Sequence, residues 1–227
     1  MTEFEAVNAR RLALVRPLFS DDLAVHVTHP ALNYPPPLPE EMAGLSPRAV
    51  EKRRREFSAG RHAVRLSQKS LGEPSLPVRV GPDRAPIWPD GLVGGVSHTR
   101  TCAVGVVGRS SSHRAVSVDV EEDVPLKAPL LEEICLDSEI DWLNTQDDPL
   151  RFAKLIFSAK EAAYKAQFPI TRTVYGFSGM ETYWDLENGR FSAFFTSEVA
   201  PFAKGDRIDG RFAIGEGIIV TAAELRG

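Results

Sequence analysis

Along the chain the alternation of apolar and polar residues changes period several times, and each change predicts an element. Between Arg151 and Ala166, Phe152, Leu155, Ile156, Ala159, Ala163 and Ala166 recur at helical spacing and form one stripe. Glu161, Tyr164 and Lys165 lie off that stripe, and Lys160 sits at its edge. Phe157 projects with Glu161, so this second face is expected to meet another part of the protein rather than water. Taken alone, Glu161 and Lys165 are an ordinary i,i+4 ion pair on a solvated helix. Ahead of this helix, Ala115 to Asp123 has period two. Val116, Val118 and Val120 share one strand face, and Ser117, Asp119 and Glu121 share the other.

The remaining chain follows the same logic. Thr2 and Glu5 have capping-box spacing and predict a helix from Glu3 to about Arg16. Leu23 to Val27 alternates as a strand, and Pro30 to Pro39 is an extended, proline-rich loop. Ser46-Pro47 predicts a helix start, with Gly72 as its stop. Val50, Phe57, Val64 and Leu71, seven residues apart, form the expected core stripe. Gly81 to Gly91 is turn-rich with Trp88 as an apolar anchor, and two short strands follow around Gly94 to Thr99 and Cys102 to Gly108. Ser110 to His113 is a flexible turn, taken as the boundary between halves 1–112 and 113–227. Leu126 to Trp142 predicts a short helix and loop. Asn188-Gly189, between two aromatic-rich runs, predicts a hairpin, and Arg207 to Ile214 and Gly217 to Ala222 are two further strands.

Composition narrows the setting. A chain of 227 residues with 43% hydrophobic content can bury a sizeable core as one large domain or two small ones. The net charge of -4 provides no global field for nucleic acid or anionic membrane. Cys102 and Cys135 fit no zinc spacing, the N-terminus is acidic, and no apolar run reaches membrane length. These features predict a cytoplasmic protein.

Three segments carry candidate chemistry. Lys52 to Arg65 is basic, and Arg53, Arg54, Arg61 and Arg65 flank the apolar stripe instead of opposing it. Guanidiniums so placed either bind phosphate, whose geometry suits their fork, or snorkel from a surface helix. His98, between Ser97 and Thr99, is either a buried hydrogen-bonded histidine or a phosphate ligand. Asp119 and Glu121 stand about 7 Å apart at their bases. Their repulsion calls for a cation or a basic partner, and Mg²⁺ suits them better than zinc.

A basic helix, a Ser-His-Thr loop, an Asp-x-Glu strand and a Lys-Glu helix, in this order, resemble the 4′-phosphopantetheinyl transferases of the larger monomeric class. That class serves siderophore, nonribosomal-peptide and polyketide synthases. The family's (Val/Ile)-Gly-(Val/Ile)-Asp-x-Glu motif corresponds to Val116-Ser-Val-Asp119-Val-Glu121. Its (Phe/Trp)-(Ser/Cys/Thr)-x-Lys-Glu-x-x-x-Lys motif corresponds to Phe157-Ser-Ala-Lys160-Glu161-Ala-Ala-Tyr-Lys165. The enterobactin-type Arg-x-x-Glu-Phe-x-x-x-Arg element runs from Arg53 to Arg61, and Trp-Pro-x-Gly followed by Ser-His-Thr runs from Trp88 to Thr99. The likeness covers about Arg53 to Phe168. Ser117 replaces the family glycine, where its hydroxyl either crowds the cation or contributes to it.

The resemblance implies an α+β fold of two similar halves related by pseudo-twofold symmetry, each a long helix on a small antiparallel sheet, with coenzyme A in the cleft between them. It implies a monomeric enzyme that moves 4′-phosphopantetheine from coenzyme A to a serine of an acyl or peptidyl carrier protein. Asp119, Glu121 and Glu161 are the implied Mg²⁺ ligands, with Glu161 also the base. Lys160 and Lys165 are implied at the phosphates. Arg53, Arg61, Arg84, Ser97, His98 and Thr99 are implied at coenzyme A. Leu126 to Leu136 and Tyr164 to Phe168 are either carrier-docking surface or the second half's own core. The alternatives are a nucleic-acid-binding module using residues 52–65 and a non-catalytic coenzyme A-binding protein.

Overall fold

The computed structural model describes residues 2–227. Thr2 caps α1 (Glu3–Val15) through a capping box with Glu5, and β1 (Ala24–Thr28) follows. The proline-rich loop ends in the four-residue α2 (Pro39–Met42). The long helix α3 (Glu51–Ser70) then leads to β2 (Arg79–Val80), β3 (Pro86–Ile87), β4 (Leu92–His98) and β5 (Ala103–Arg109). The chain continues through β6 (His113–Glu122), α4 (Leu131–Ile134), α5 (Asp137–Leu143) and α6 (Pro149–Thr171). It closes with β7 (Met180–Asp185), β8 (Arg190–Phe195), β9 (Arg207–Gly215) and β10 (Ile218–Arg226). Among the described residues no helix is long and apolar enough to cross a membrane.

The fold is α+β. One large antiparallel sheet has the order β1-β5-β4 and carries α3, a second has the order β6-β10-β9-β8-β7 and carries α6, and β2 and β3 form a separate two-stranded pair. The turn at residues 110–112 is where the chain passes from the first sheet to the second. Both sheets contribute to one apolar cluster. Val25, Val27, Val104 and Val106 pack with Val116, Val118, Val120, Ile218 and Val220, and α1 and the segment after it add Val15, Leu18 and Phe19. Strands β4 and β6 approach without sharing a ladder. A Cβ added to Gly95 would stand 2.9 Å from the Val118 nitrogen and 3.0 Å from Ser117 Cα, so only glycine permits the approach.

The predicted long helices exist, with altered ends. α3 begins at Glu51, not at Ser46-Pro47, because the Ser46 hydroxyl accepts from the Arg48 nitrogen and its carbonyl from the Ala49 nitrogen, closing a local turn. Val50 is therefore an extended N-cap residue, 68% exposed, and not part of the core stripe. Phe57 and Val64 are buried as expected, and Gly72 ends the helix with φ of 78°. α6 is longer than predicted at both ends: Asp148 caps it by accepting from the Arg151 nitrogen, and Pro149 occupies its first position. Its small alanines, Ala153, Ala159, Ala162, Ala163 and Ala166, are fully buried and let the helix lie close to its neighbours.

Leu126 to Trp142 forms a one-turn 3₁₀ segment and two short helices, in place of one helix and a loop. Leu126, Ile134 and Cys135 are buried with Leu143 and Ile156, and Phe168 is also buried. These residues are core, which removes them from any docking surface. Phe157 meets Phe177 at 5.4 Å, so the second face of α6 is covered by protein as its aromatic residue predicts.

Candidate functional site

Period two in β6 turns Ser117, Asp119 and Glu121 away from the valine cluster, and α6 sets Ser158, Glu161 and Lys165 three, then four residues apart on one face. The two elements meet at Asp119. Its Oδ1 accepts from Lys165 Nζ at 2.6 Å and Ser97 Oγ at 3.1 Å, and its Oδ2 accepts from Ser158 Oγ at 2.8 Å. Lys165 Nζ also stands 3.7 Å from Glu161 Oε2, so one ammonium joins the strand carboxylate to the helix carboxylate. Burial pushes the Glu161 carboxyl above its ordinary value; Lys165 opposes the rise and the charge of Asp119 adds to it. Burial, then Asp119, raises Glu121 in the same way, against the pull of Lys154. Desolvation works against the charged form of Lys165, but Asp119, Glu161 and Glu121 together hold its ammonium above the ordinary lysine range.

The three carboxylates do not converge as the sequence implies. Glu121 is drawn to Lys154 Nζ at 2.9 Å, and among the described residues no three His, Cys, Asp or Glu side chains could hold a metal ion. The site instead offers Asp119 and Glu161 against one shared cation. That donor set fits Mg²⁺, which takes one or two carboxylates and completes its shell with waters and phosphate oxygens. Ser117 neither crowds nor supplies this position: its hydroxyl donates to the Ala162 carbonyl at 2.7 Å and ties α6 to β6.

Lys160 is placed otherwise than the sequence implies. Its ammonium is buried and donates to Glu139 Oε2 at 2.6 Å, to the Ile134 carbonyl at 2.8 Å and to the Phe177 carbonyl at 3.0 Å. All three N–H groups are occupied, which leaves none for a phosphate. Glu139 is itself buried and accepts from the Leu136 and Thr182 nitrogens and the Thr182 hydroxyl. Lys160, Glu161, Tyr164, Tyr175, Phe177 and Met180 line a small cavity beside Glu161, and the Tyr175 hydroxyl is buried with no hydrogen-bond partner among the described residues.

The basic helix divides into structural and available arginines. Arg54 donates to the Ala49 and Pro47 carbonyls, Arg55 to those of Pro30 and Ala31, and Arg65 to Glu41 and the Pro35 carbonyl. These three hold the N-terminal loop. Arg53 is exposed and donates to His98 Nε2 at 2.9 Å. Arg61 is buried, lies 4.7 Å over the Phe57 ring and 3.6 Å from Glu41 Oε1, and makes no hydrogen bond with the described residues. Ser97 is directed to Asp119 rather than outward, and the Thr99 hydroxyl accepts from the Thr101 and Cys102 nitrogens, organising the β4–β5 turn. Arg84 is exposed on a turn, with φ of 65°.

Burial, followed by the charges of Arg53, Lys165 and Arg61, lowers the His98 imidazole from its ordinary 6.5 to about 4. The unfolded chain therefore binds a proton at this position that the folded chain refuses. Stability is lost as pH falls from 6.5 towards 4, by up to about 3 kcal/mol at about 1.4 kcal/mol per pH unit. Urea unfolding of the ligand-free protein across that range is expected to show a shallower pH dependence in His98→Gln than in the unsubstituted chain. Equal slopes in the two would mean that His98 titrates normally.

Several site residues carried no usable sequence signal. Ser158 lies inside the Lys-Glu motif but points to Asp119 only because α6 crosses β6 at that turn. Glu41 and Glu139 sit among other acidic residues of short helices, and only the tertiary fold matches them to their basic partners.

Comparison with known proteins places the chain in one family. A family model described as the 4′-phosphopantetheinyl transferase N-terminal domain matches residues 40–108, and one described as the 4′-phosphopantetheinyl transferase superfamily matches residues 115–213. The 4′-phosphopantetheinyl transferase Npt of Nocardia iowensis is 34% identical over 203 residues, covering 84% of this chain and 91% of that protein. The 4′-phosphopantetheinyl transferase PptT of Mycobacterium tuberculosis is 34% identical over 198 residues, covering 83% of this chain and 86% of that protein. Enterobactin synthase component D of Salmonella typhi is 36% identical over 121 residues, covering 52% of this chain and 50% of its own.

Proposed function

The chain belongs to the 4′-phosphopantetheinyl transferase superfamily, and from that premise we propose that it moves 4′-phosphopantetheine from coenzyme A to a serine of an acyl or peptidyl carrier protein with the help of Mg²⁺. The serine oxygen attacks the β-phosphorus of the coenzyme A pyrophosphate, and the bond to the bridging oxygen breaks. Adenosine 3′,5′-bisphosphate leaves with the electron pair. Glu161, raised by burial, takes the serine proton as general base. Lys165 donates to the pyrophosphate oxygens, and Ser97 and Ser158 hold Asp119 in orientation. Mg²⁺, held by Asp119 and Glu161, neutralises charge on the phosphates when bound. Arg53, Arg61 and His98 hold the 3′-phosphate, with Arg84 at the rim. Lys160 acts by fixing α6 against the segments around Ile134 and Phe177.

The observation that carries this reading is the junction at Ser97-His98. Consecutive residues of β4 point to opposite sides: Ser97 bonds the carboxylate cluster through Asp119, and His98 bonds the basic cluster through Arg53. One strand end thus joins an acidic site suited to a metal with a basic site suited to phosphate. Intact-mass analysis of candidate apo carrier proteins, incubated with coenzyme A, Mg²⁺ and this protein, tests the proposal. A mass increase of one phosphopantetheine is expected. No increase across carriers of all three pathway classes would overturn it.

The donor-side assignment has its own test. Arg61→Ala is expected to weaken coenzyme A binding by about 1.5–3 kcal/mol, the usual loss for a charged hydrogen-bonded contact. The loss should shrink with dephospho-coenzyme A, measured by titration calorimetry. An equal loss for both donors would mean that Arg61 does not read the 3′-phosphate.

A further inference from the structure

We propose that Glu41 is a positioning residue for the coenzyme A site, holding the Arg61 guanidinium ready for the 3′-phosphate; the inference rests on the reading of Arg61 given above. Glu41 is fully buried on α2, ahead of the four sequence motifs that begin at Arg53. Its Oε2 accepts from the Leu38 nitrogen at 2.9 Å and from Arg65 Nη1 at 3.2 Å. Its Oε1 accepts from the Val78 nitrogen at 3.1 Å and lies 3.6 Å from Arg61 Nε. One carboxylate thus pins the end of the proline-rich loop, α3 and the segment entering β2.

Charge and hydrogen bonding set Arg61 apart from its neighbour. Two guanidiniums share a single carboxylate, so this buried group keeps a surplus positive charge. Arg65 adds the Pro35 carbonyl as an acceptor and is partly exposed. Arg61 is 4% exposed, and its Nε is buried without a hydrogen-bond partner among the described residues, with Glu41 Oε1 at 3.6 Å. Burying a charged group without full pairing is costly, and an anion at the guanidinium would offset that cost. The Phe57 ring lies against one face of the guanidinium, Glu41 faces Nε, and His98 lies close to the same charge. The carboxylate and the ring restrict a side chain that would otherwise lose several rotors on binding its ligand. Glu41 touches no ligand in this scheme; it acts through Arg61.

Calorimetric titration of Glu41→Gln with coenzyme A and with dephospho-coenzyme A tests the assignment. The dissociation constant for coenzyme A is expected to rise about tenfold, as for loss of one oriented charged contact, while that for dephospho-coenzyme A changes less than about twofold. Turnover at saturating donor stays near that of the unsubstituted enzyme. In an Arg61→Ala background the same substitution is expected to add no further loss, because the two residues act as one unit. Should Glu41→Gln not fold, Glu41→Asp keeps the charge but withdraws it from Arg61 by one methylene, and must show the same donor-selective loss. A loss equal for both donors, or additive with Arg61→Ala, would assign Glu41 to the fold alone. If the unsubstituted enzyme does not distinguish the two donors, the reading of Arg61 fails first. If it does, and Glu41→Gln retains that distinction, the inference about Glu41 fails alone.

Discussion

Asp119→Ala and Glu161→Ala are each expected to reduce phosphopantetheine transfer by about a thousandfold or more while leaving the protein folded. For Glu161 the size follows from the loss of a general base, commonly a factor of about 10²–10⁴, together with one of two carboxylates facing the shared cation. For Asp119 it follows from its central place: Lys165, Ser97 and Ser158 all donate to it, so its removal releases three oriented groups at once. The fold is expected to survive because Asp119→Ala leaves Lys165 its Glu161 contact at 3.7 Å and Ser158 its Thr221 contact at 2.9 Å, and Glu161→Ala leaves Lys165 its Asp119 contact at 2.6 Å. Carrier mass shift measures transfer, and circular dichroism with urea titration measures the fold. Normal turnover in either variant, or undiminished transfer in excess EDTA, is incompatible with a carboxylate-held metal.

Lys160→Met is expected to lower stability by about 3–5 kcal/mol, the usual consequence of removing one partner of a buried ion pair. Glu139 would remain charged and buried, and the Ile134 and Phe177 carbonyls would lose their donor. Adding Glu139→Gln removes the stranded charge and is expected to restore part of the loss. Urea midpoints for the single and double variants decide the point. A single variant with unchanged stability but lost turnover would return Lys160 to the phosphates. This test separates the roles proposed for two adjacent residues of one motif: Glu161 at the substrate, and Lys160 in the frame that presents it.

The sequence made some of this legible and concealed the rest for physical reasons. Period two in β6 separates Val118 from Asp119 without ambiguity, because a strand has only two faces. Helical spacing likewise placed Glu161 and Lys165 together, and Asn188-Gly189 marked the β7–β8 hairpin. The start of α3 was misread because Ser46-Pro47 is a valid local signal that a competing turn overrides. The Lys160–Glu139 and Arg61–Glu41 pairs could not be read at all. Their partners are brought together by tertiary packing, and no local period records such an encounter. Ser117 shows the same limit: its face was legible, but whether its hydroxyl would meet a cation or the Ala162 carbonyl depended on how closely α6 approaches.

The bare backbone at Gly95 fixes more than local packing. Coenzyme A has a covalently set span between its 3′-phosphate and its pyrophosphate, so a protein that grips both ends must match that length. Between the two grips proposed here lies the contact of Gly95 with the Ser117–Val118 backbone, where even one added carbon would stand at 2.9 Å. The glycine is therefore a gauge block: its lack of a side chain defines the caliper opening, and the tolerance is narrower than a methyl group. Gly95→Ala would not remove a single one of the proposed ligand-binding atoms, yet it would force β4 and β6 to shift against each other.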